Sequence, residues 1–209
     1  MLMNLVTVKA FDARAVRESI AVVRRVNAED LTRPTPCSAW NLGELLAHMT
    51  AQHRGFAAAA RGEGGDLTHW KAEAPRPAAV GRYLAAAEAV LAAFAEVGSA
   101  EQEFALPEFG PGGRFPAIRA IGFHFLDYVV HAWDVACALD LPFAMDSDVL
   151  DAALPIAQAV PNGAHRTQPG AAFAPSLPEP TDPDPLPRIL THLGRSSSWG
   201  VGGLGDGRG

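Results

Sequence analysis

Apolar residues recur along most of the chain at helical rather than strand spacing. Phe11, Ala15, Ile20, Val22, Val23 and Val26 predict a first helix over residues 10–26, followed by a loop over 27–39 marked by Pro34 and Pro36. Leu42, Leu45, Leu46, Met49 and Phe56 predict a second helix over 41–61. Asn41 and Glu44 fit a capping box at its start, each side chain satisfying a free backbone donor. An alanine- and leucine-rich third helix covers 78–97, and a fourth, the most apolar, covers 117–139. The connection between them, 98–116, contains FGPGGRF, a segment able to turn a short hairpin. A fifth helix is expected over 147–160 with Ser147 as its cap, then loop over 161–184, then a short helix over 185–193 ending at Gly194.

Four helices of about five turns each, joined by loops, predict a mainly α fold built on a four-helix bundle. The bundle is expected over residues 1–142. A short, partly irregular C-terminal extension, 143–195, is expected to pack on it, and a flexible Gly/Ser-rich tail fills 196–209. At 209 residues, 48% hydrophobic and 19% charged, the chain has globular composition and can bury a sizeable core. A net charge of -6 with no basic cluster argues against nucleic acid as a partner. No uncharged apolar run reaches the roughly 18 residues of a membrane span. The first residues carry no positive charge ahead of their short apolar stretch, unlike a signal peptide. Two cysteines, Cys37 and Cys137, make no disulfide framework. Together these features predict a cytoplasmic protein.

The fourth helix carries the candidate chemistry. Its apolar residues cover most of the circumference, so it should be buried. Yet His124, Asp127, His131 and Asp134 fall within an arc of about 80° on it. Such a stripe must find partners inside the bundle, because unpartnered buried charge is costly. A hydrogen-bonded Asp–His network would satisfy it, and so would a metal ion. Asp127 and His131, four apart, project from one face one turn apart. A third ligand must come from His48, His53, His69, His165 or His192. His48 lies at the edge of the second helix's apolar stripe. His53, nearer its middle, reads as a core residue, and the other three read as surface.

The stretch TPCSAWNLGELLAHM (35–49), taken with DYVVHAWDVACALDLP (127–142), resembles the DinB-like superfamily. It is most similar to the branch containing the N-terminal domain of mycothiol-dependent maleylpyruvate isomerase. The resemblance runs in order over residues 10–142, and PRILTHLGR (187–195) resembles the end of uncharacterised members of the branch. It implies a bundle with a divalent metal in its core, held by a histidine on the second helix and a pair four apart on a later one. His48, Asp127 and His131 match those places. Asp127 stands where the isomerase has glutamate and other relatives have histidine, so an ion would lie closer to the fourth helix or be bridged by water. His124 and Asp134 are then candidates to support the ligands from behind.

Imidazole with carboxylate suits zinc first and nickel second, rather than calcium. The resemblance implies a thiol-dependent transferase or isomerase whose partners are a low-molecular-weight thiol, such as mycothiol, and a small electrophile. Fifteen arginines against two lysines, with abundant alanine, point to a GC-rich, actinobacterial host. The alternative is a non-catalytic metal-binding bundle acting as a sensor or partner-binding module, and a purely structural bundle stands behind both. A homodimer is compatible with all three. Trp40 and Trp133 read as core residues with a second use in lining a substrate site. Cys37, just ahead of a helix, reads as a small loop residue.

Overall fold

The computed structural model describes residues 3–37, 40–74, 78–110, 112–168, 171–181 and 183–199. Among them the chain is mainly helical: α1 (Leu5–Val23), α2 (Leu42–Ala60), α3 (Ala79–Glu96), α4 (Ala117–Ala138), α5 (Ser147–Gln158) and α6 (Pro185–His192). Helices α1 and α4 pack along one another, as do α2 and α3, and the two pairs close into a bundle. Helix α5 lies against α4 and α1, and α6 against α5. Val149, Leu150, Ala153, Ile189, Leu190 and Leu193 enter the same apolar core as Val129, Tyr128 and Leu45. Trp199 packs on that core too, while residues 200–209 of the expected tail lie outside the described residues.

Helix α1 begins at Leu5, five residues earlier than its apolar periodicity predicts. The Asn4 side chain accepts from the Thr7 amide at 2.9 Å, capping the helix, and Val8 is fully buried. Cap and burial together outweigh the modest helix propensity of a valine- and threonine-rich turn. The capping box at α2 forms as predicted, with Asn41 and Glu44 each bonding the other's backbone amide. Ser147 is not a cap: it is the first helical residue of α5, and Asp146 stands before it without a side-chain cap bond. The Asp146 carboxylate instead pairs with Arg14 of α1 at 2.6 Å. The connection before α4 does form a hairpin, β1 (Glu103–Ala105) pairing antiparallel with β2 (Arg114–Pro116). A 3-10 turn, Pro107–Phe109, stands between the two strands.

The core is two apolar clusters with a polar layer between them. One cluster gathers Leu45, Met49, Tyr83 and Tyr128; the other gathers Phe56, Phe94, Phe104 and Ile121. Between them His124 packs against Phe56, Phe94 and Tyr128 at 5.0, 5.1 and 4.3 Å between ring centres. No helix among the described residues is long and apolar enough to cross a membrane.

Candidate metal centre

Two helices bring the candidate ligands together. His48 lies on the second turn of α2, and Asp127 and His131 lie one turn apart on α4. One donor atom from each falls within 4.8 Å of the others. Asp127 Oδ1 is 3.3 Å from His131 Nε2. Aspartate is therefore long enough to reach the cluster from α4. His131 is buried, while the Asp127 side chain keeps 24% of its surface exposed, so the cluster opens to solvent on the Asp127 side.

The loop before α2 covers His48. Thr35 Oγ1 donates to the Cys37 and Trp40 carbonyls at 2.9 and 2.8 Å, and the Trp40 amide donates to the Cys37 carbonyl. These bonds set Trp40 over His48, the rings stacked 4.4 Å apart between centres. Ser38 and Ala39 of the same motif lie outside the described residues. His48 and His131 meet edge to face at 5.4 Å. Trp133, by contrast, is buried in the main core.

Behind His131 stands a support that the sequence reveals only in part. His131 Nδ1 lies 2.8 Å from Asp134 Oδ2. Asp134, fully buried, accepts from Arg195 Nε and Nη2 at 3.0 Å each. Arg195 is buried as well, and its placement depends on the end of α6. Gly194 takes φ +79°, a left-handed turn that glycine adopts freely, and the Arg195 amide returns to the Leu190 carbonyl at 2.9 Å. Arg195 escapes sequence reasoning because its partner is 61 residues away. The one available signal is an arginine directly after the glycine that stops a short amphipathic helix.

His124 does not support the cluster. Its Nδ1 lies 2.6 Å from Asp12 Oδ1 on α1, and its Nε2 lies 3.1 Å from His53 Nδ1 on α2. The polar stripe on α4 thus divides: Asp127, His131 and Asp134 serve one network, and His124 serves another, buried in the layer between the two cores. His53 is the core residue its position predicts, stacked on Tyr128 at 4.0 Å. His69 and His192 are half-buried and His165 is exposed, all away from the cluster. Cys37 and Cys137 form no disulfide.

The charges follow from these contacts. Burial pushes the His48 ring down to about 4, helped by the nearby positive charges of His131 and Arg195. Burial also opposes charge on His131, but Asp127 and Asp134 outweigh it and raise that ring to about 9. Asp127 is likewise penalised by burial, yet His131 and His48 hold its carboxyl well below the ordinary range. At neutral pH the cluster is one neutral imidazole with a free lone pair, one carboxylate, and one imidazolium whose Nε2 proton stands between ring and carboxylate. A divalent cation can take the place of that proton.

The family model described as mycothiol maleylpyruvate isomerase N-terminal domain matches residues 13–136, a span holding all three candidate ligands. An uncharacterized protein of Mycobacterium tuberculosis, found in strains CDC 1551 / Oshkosh and ATCC 25618 / H37Rv, is 29% identical over 188 residues. The match covers 88% of this chain and 94% of that relative. No solved structure matches the chain.

Proposed function

The chain belongs to the family of the mycothiol maleylpyruvate isomerase N-terminal domain, a branch of the DinB-like superfamily, and from that premise we propose that it holds a divalent metal ion with His48, Asp127 and His131 and acts on a thiol. The finer reading is a thiol-dependent transferase or isomerase, with mycothiol or a similar small thiol as cosubstrate and a small electrophile as its target. The observation that carries it is the convergence of three donor atoms within 4.8 Å, one of them on a histidine whose other nitrogen is engaged by Asp134. That pairing is how metal-binding histidines are commonly oriented. The donor set fits zinc, with nickel second. Three protein ligands leave a coordination position open.

When bound, the ion supplies positive charge that keeps an incoming thiol deprotonated at neutral pH. The remaining work falls to this chain's own residues. Asp134 and Arg195 hold the His131 ring so that Nε2 faces the cluster. Trp40 shields one face of His48 from water. The exposed edge of Asp127 marks the side from which a thiol enters. Two cysteines outside any disulfide are compatible with the reducing cytoplasm in which such thiols are kept.

Metal analysis of protein purified without chelator tests the reading. A single ion per chain is expected in the parent, in His69→Ala and in His192→Ala, and none in His48→Ala or His131→Ala. A parent without metal overturns the site. Thiol-dependent turnover of a generic electrophile, lost in His131→Ala, supports the enzyme. Metal without turnover for any thiol assigns the chain to the non-catalytic metal-binding bundles.

A further inference from the structure

His48 comes from α2, and Asp127 and His131 come from α4. These two helices do not pack chiefly on one another: α2 lies along α3, and α4 lies along α1. The three donor atoms therefore face each other across the seam between two helix pairs. A metal ion binds well only where its donors stand within about 0.2 Å of their preferred distances. One residue of slip along a helix moves a side chain by about 1.5 Å and turns it by about 100°. Apolar contacts across such a seam are non-directional and do not fix its register to that tolerance, whereas a hydrogen bond is directional.

Two hydrogen bonds join α2 to α4 among the described residues. One links His53 Nδ1 and His124 Nε2 at 3.1 Å, in the polar layer. In the other, the Tyr128 hydroxyl donates to the Met49 carbonyl at 2.5 Å. This second bond stands at the ligands: Met49 follows His48 on α2, and Tyr128 follows Asp127 on α4. The Met49 carbonyl lies within α2, and its two lone pairs let it take the hydroxyl without giving up the bond to its own helix. Tyr128 is fixed in turn. It is fully buried, and its ring stacks on His53 at 4.0 Å with 9° between the planes. A second tyrosine offers the comparison. Tyr83 is equally buried, and its hydroxyl lies 2.5 Å from Ser19 Oγ. That bond joins α3 to α1, and α3 and α1 carry none of the three candidate ligands.

We propose that Tyr128 is a positioning residue for the metal centre: its hydroxyl, anchored on the Met49 carbonyl, sets the spacing of His48 from Asp127 and His131. This rests on the metal reading proposed above. Tyr128 does not touch the ion. It holds the seam in register before the ion arrives, so that the donors are already placed when it binds.

The test sets one hydroxyl against another. Parent, Tyr128→Phe and Tyr83→Phe are titrated with cobalt(II) against a competing chelator, all in a stabilising osmolyte that keeps each chain folded. The visible spectrum of bound cobalt reports the geometry of its donors, and urea unfolding of the metal-free proteins reports stability. Both variants keep the ring and lose one buried hydroxyl, so both should lose stability. A hydroxyl that serves the fold alone changes stability without changing the affinity of the folded chain. Tyr128→Phe is expected to bind cobalt about 10-fold or more weakly, with shifted visible bands, while Tyr83→Phe keeps the affinity and spectrum of the parent. Parent-like affinity and spectrum in Tyr128→Phe overturn the role of Tyr128 and leave the metal reading standing. Equal weakening in both variants overturns it as well, because the effect would then belong to the packing of the bundle and not to the seam. A parent that binds no cobalt overturns the metal reading itself.

Discussion

Asp127 carries the charge that lets the cluster accept a cation, and its environment is balanced around that charge. Burial works against it; His131 and His48 outweigh the burial and keep it ionised. Asp127→Asn preserves the size and removes the charge, leaving a poorer donor, so it should lose most metal affinity in a direct titration. A loss of only about 10- to 100-fold would instead mark Asp127 as a group that orients His131. Asp127→Glu should retain the ion, because the opening on the Asp127 side leaves space for one more carbon. This residue, with His131 and His48, is legible in the sequence, since a polar stripe on an otherwise apolar helix and a family motif point to the same positions. His124 shows the limit of such a stripe. Angular position alone does not separate neighbours one turn apart when each turn meets a different helix, and Asp12 of α1 claims His124.

Among the elements, the part after α4 is where structure adds most. Its helices are readable from periodicity, but not that Arg195, just past the end of α6, braces His131 on α4 through Asp134. Arg195→Met keeps much of the side-chain volume and leaves Asp134 buried without its cation. Such a break in a buried pair costs about 3 to 5 kcal/mol, measurable by urea unfolding of metal-free protein. If Asp134 also orients His131, the same variant should weaken metal binding by about 10- to 100-fold. A stable variant with unchanged affinity would show that the Arg195–Asp134–His131 chain supports nothing. A second element-level test lies on α2. A Cβ on Gly55 would stand 2.3 Å from the Trp70 indole, which is held in place by a 2.8 Å bond to the Gly64 carbonyl. Gly55→Ala should therefore destabilise by about 1 to 3 kcal/mol despite the better helix propensity of alanine, and a stability gain in thermal unfolding would contradict the packing described. Helix existence was readable throughout, while boundaries depended on caps and pairings. The start of α1 rests on Asn4, and the Asp146 ahead of α5 is drawn to Arg14 rather than to its own helix.

At the scale of the molecule, the bundle is a stack: an apolar cluster, a polar layer, and a second apolar cluster, with the candidate metal centre beside the first. The polar layer gives the fold a pH dependence that an all-apolar core would lack. Burial, and then the proximity of His124, hold the His53 ring well below its ordinary range. Its Nε2 is buried without a partner, so nothing there favours a proton. The unfolded chain, with ordinary histidines titrating near pH 6.5, takes up a proton at His53 that the folded chain refuses. Stability is then fully present above about pH 6.5 and is lost as the pH falls toward the depressed folded value, by up to about 1.4 kcal/mol per pH unit for this one group. His48, lowered to about 4, acts in the same direction. His131, raised to about 9 in the metal-free protein, acts in the opposite one: its contribution is present below about pH 6.5 and lost as the pH rises toward 9. Metal-free protein should therefore be most stable near pH 6.5. The His53 part can be isolated with His53→Asn, whose amide can still donate to His124 Nε2 but does not titrate. Between about pH 6.5 and 5 the stability of the parent should fall more steeply than that of the variant, with the two curves diverging by roughly one proton's slope. Parallel curves from urea unfolding across that range would mean that His53 takes up its proton in the folded protein, and that the layer between the two cores holds water or charge that this account leaves out.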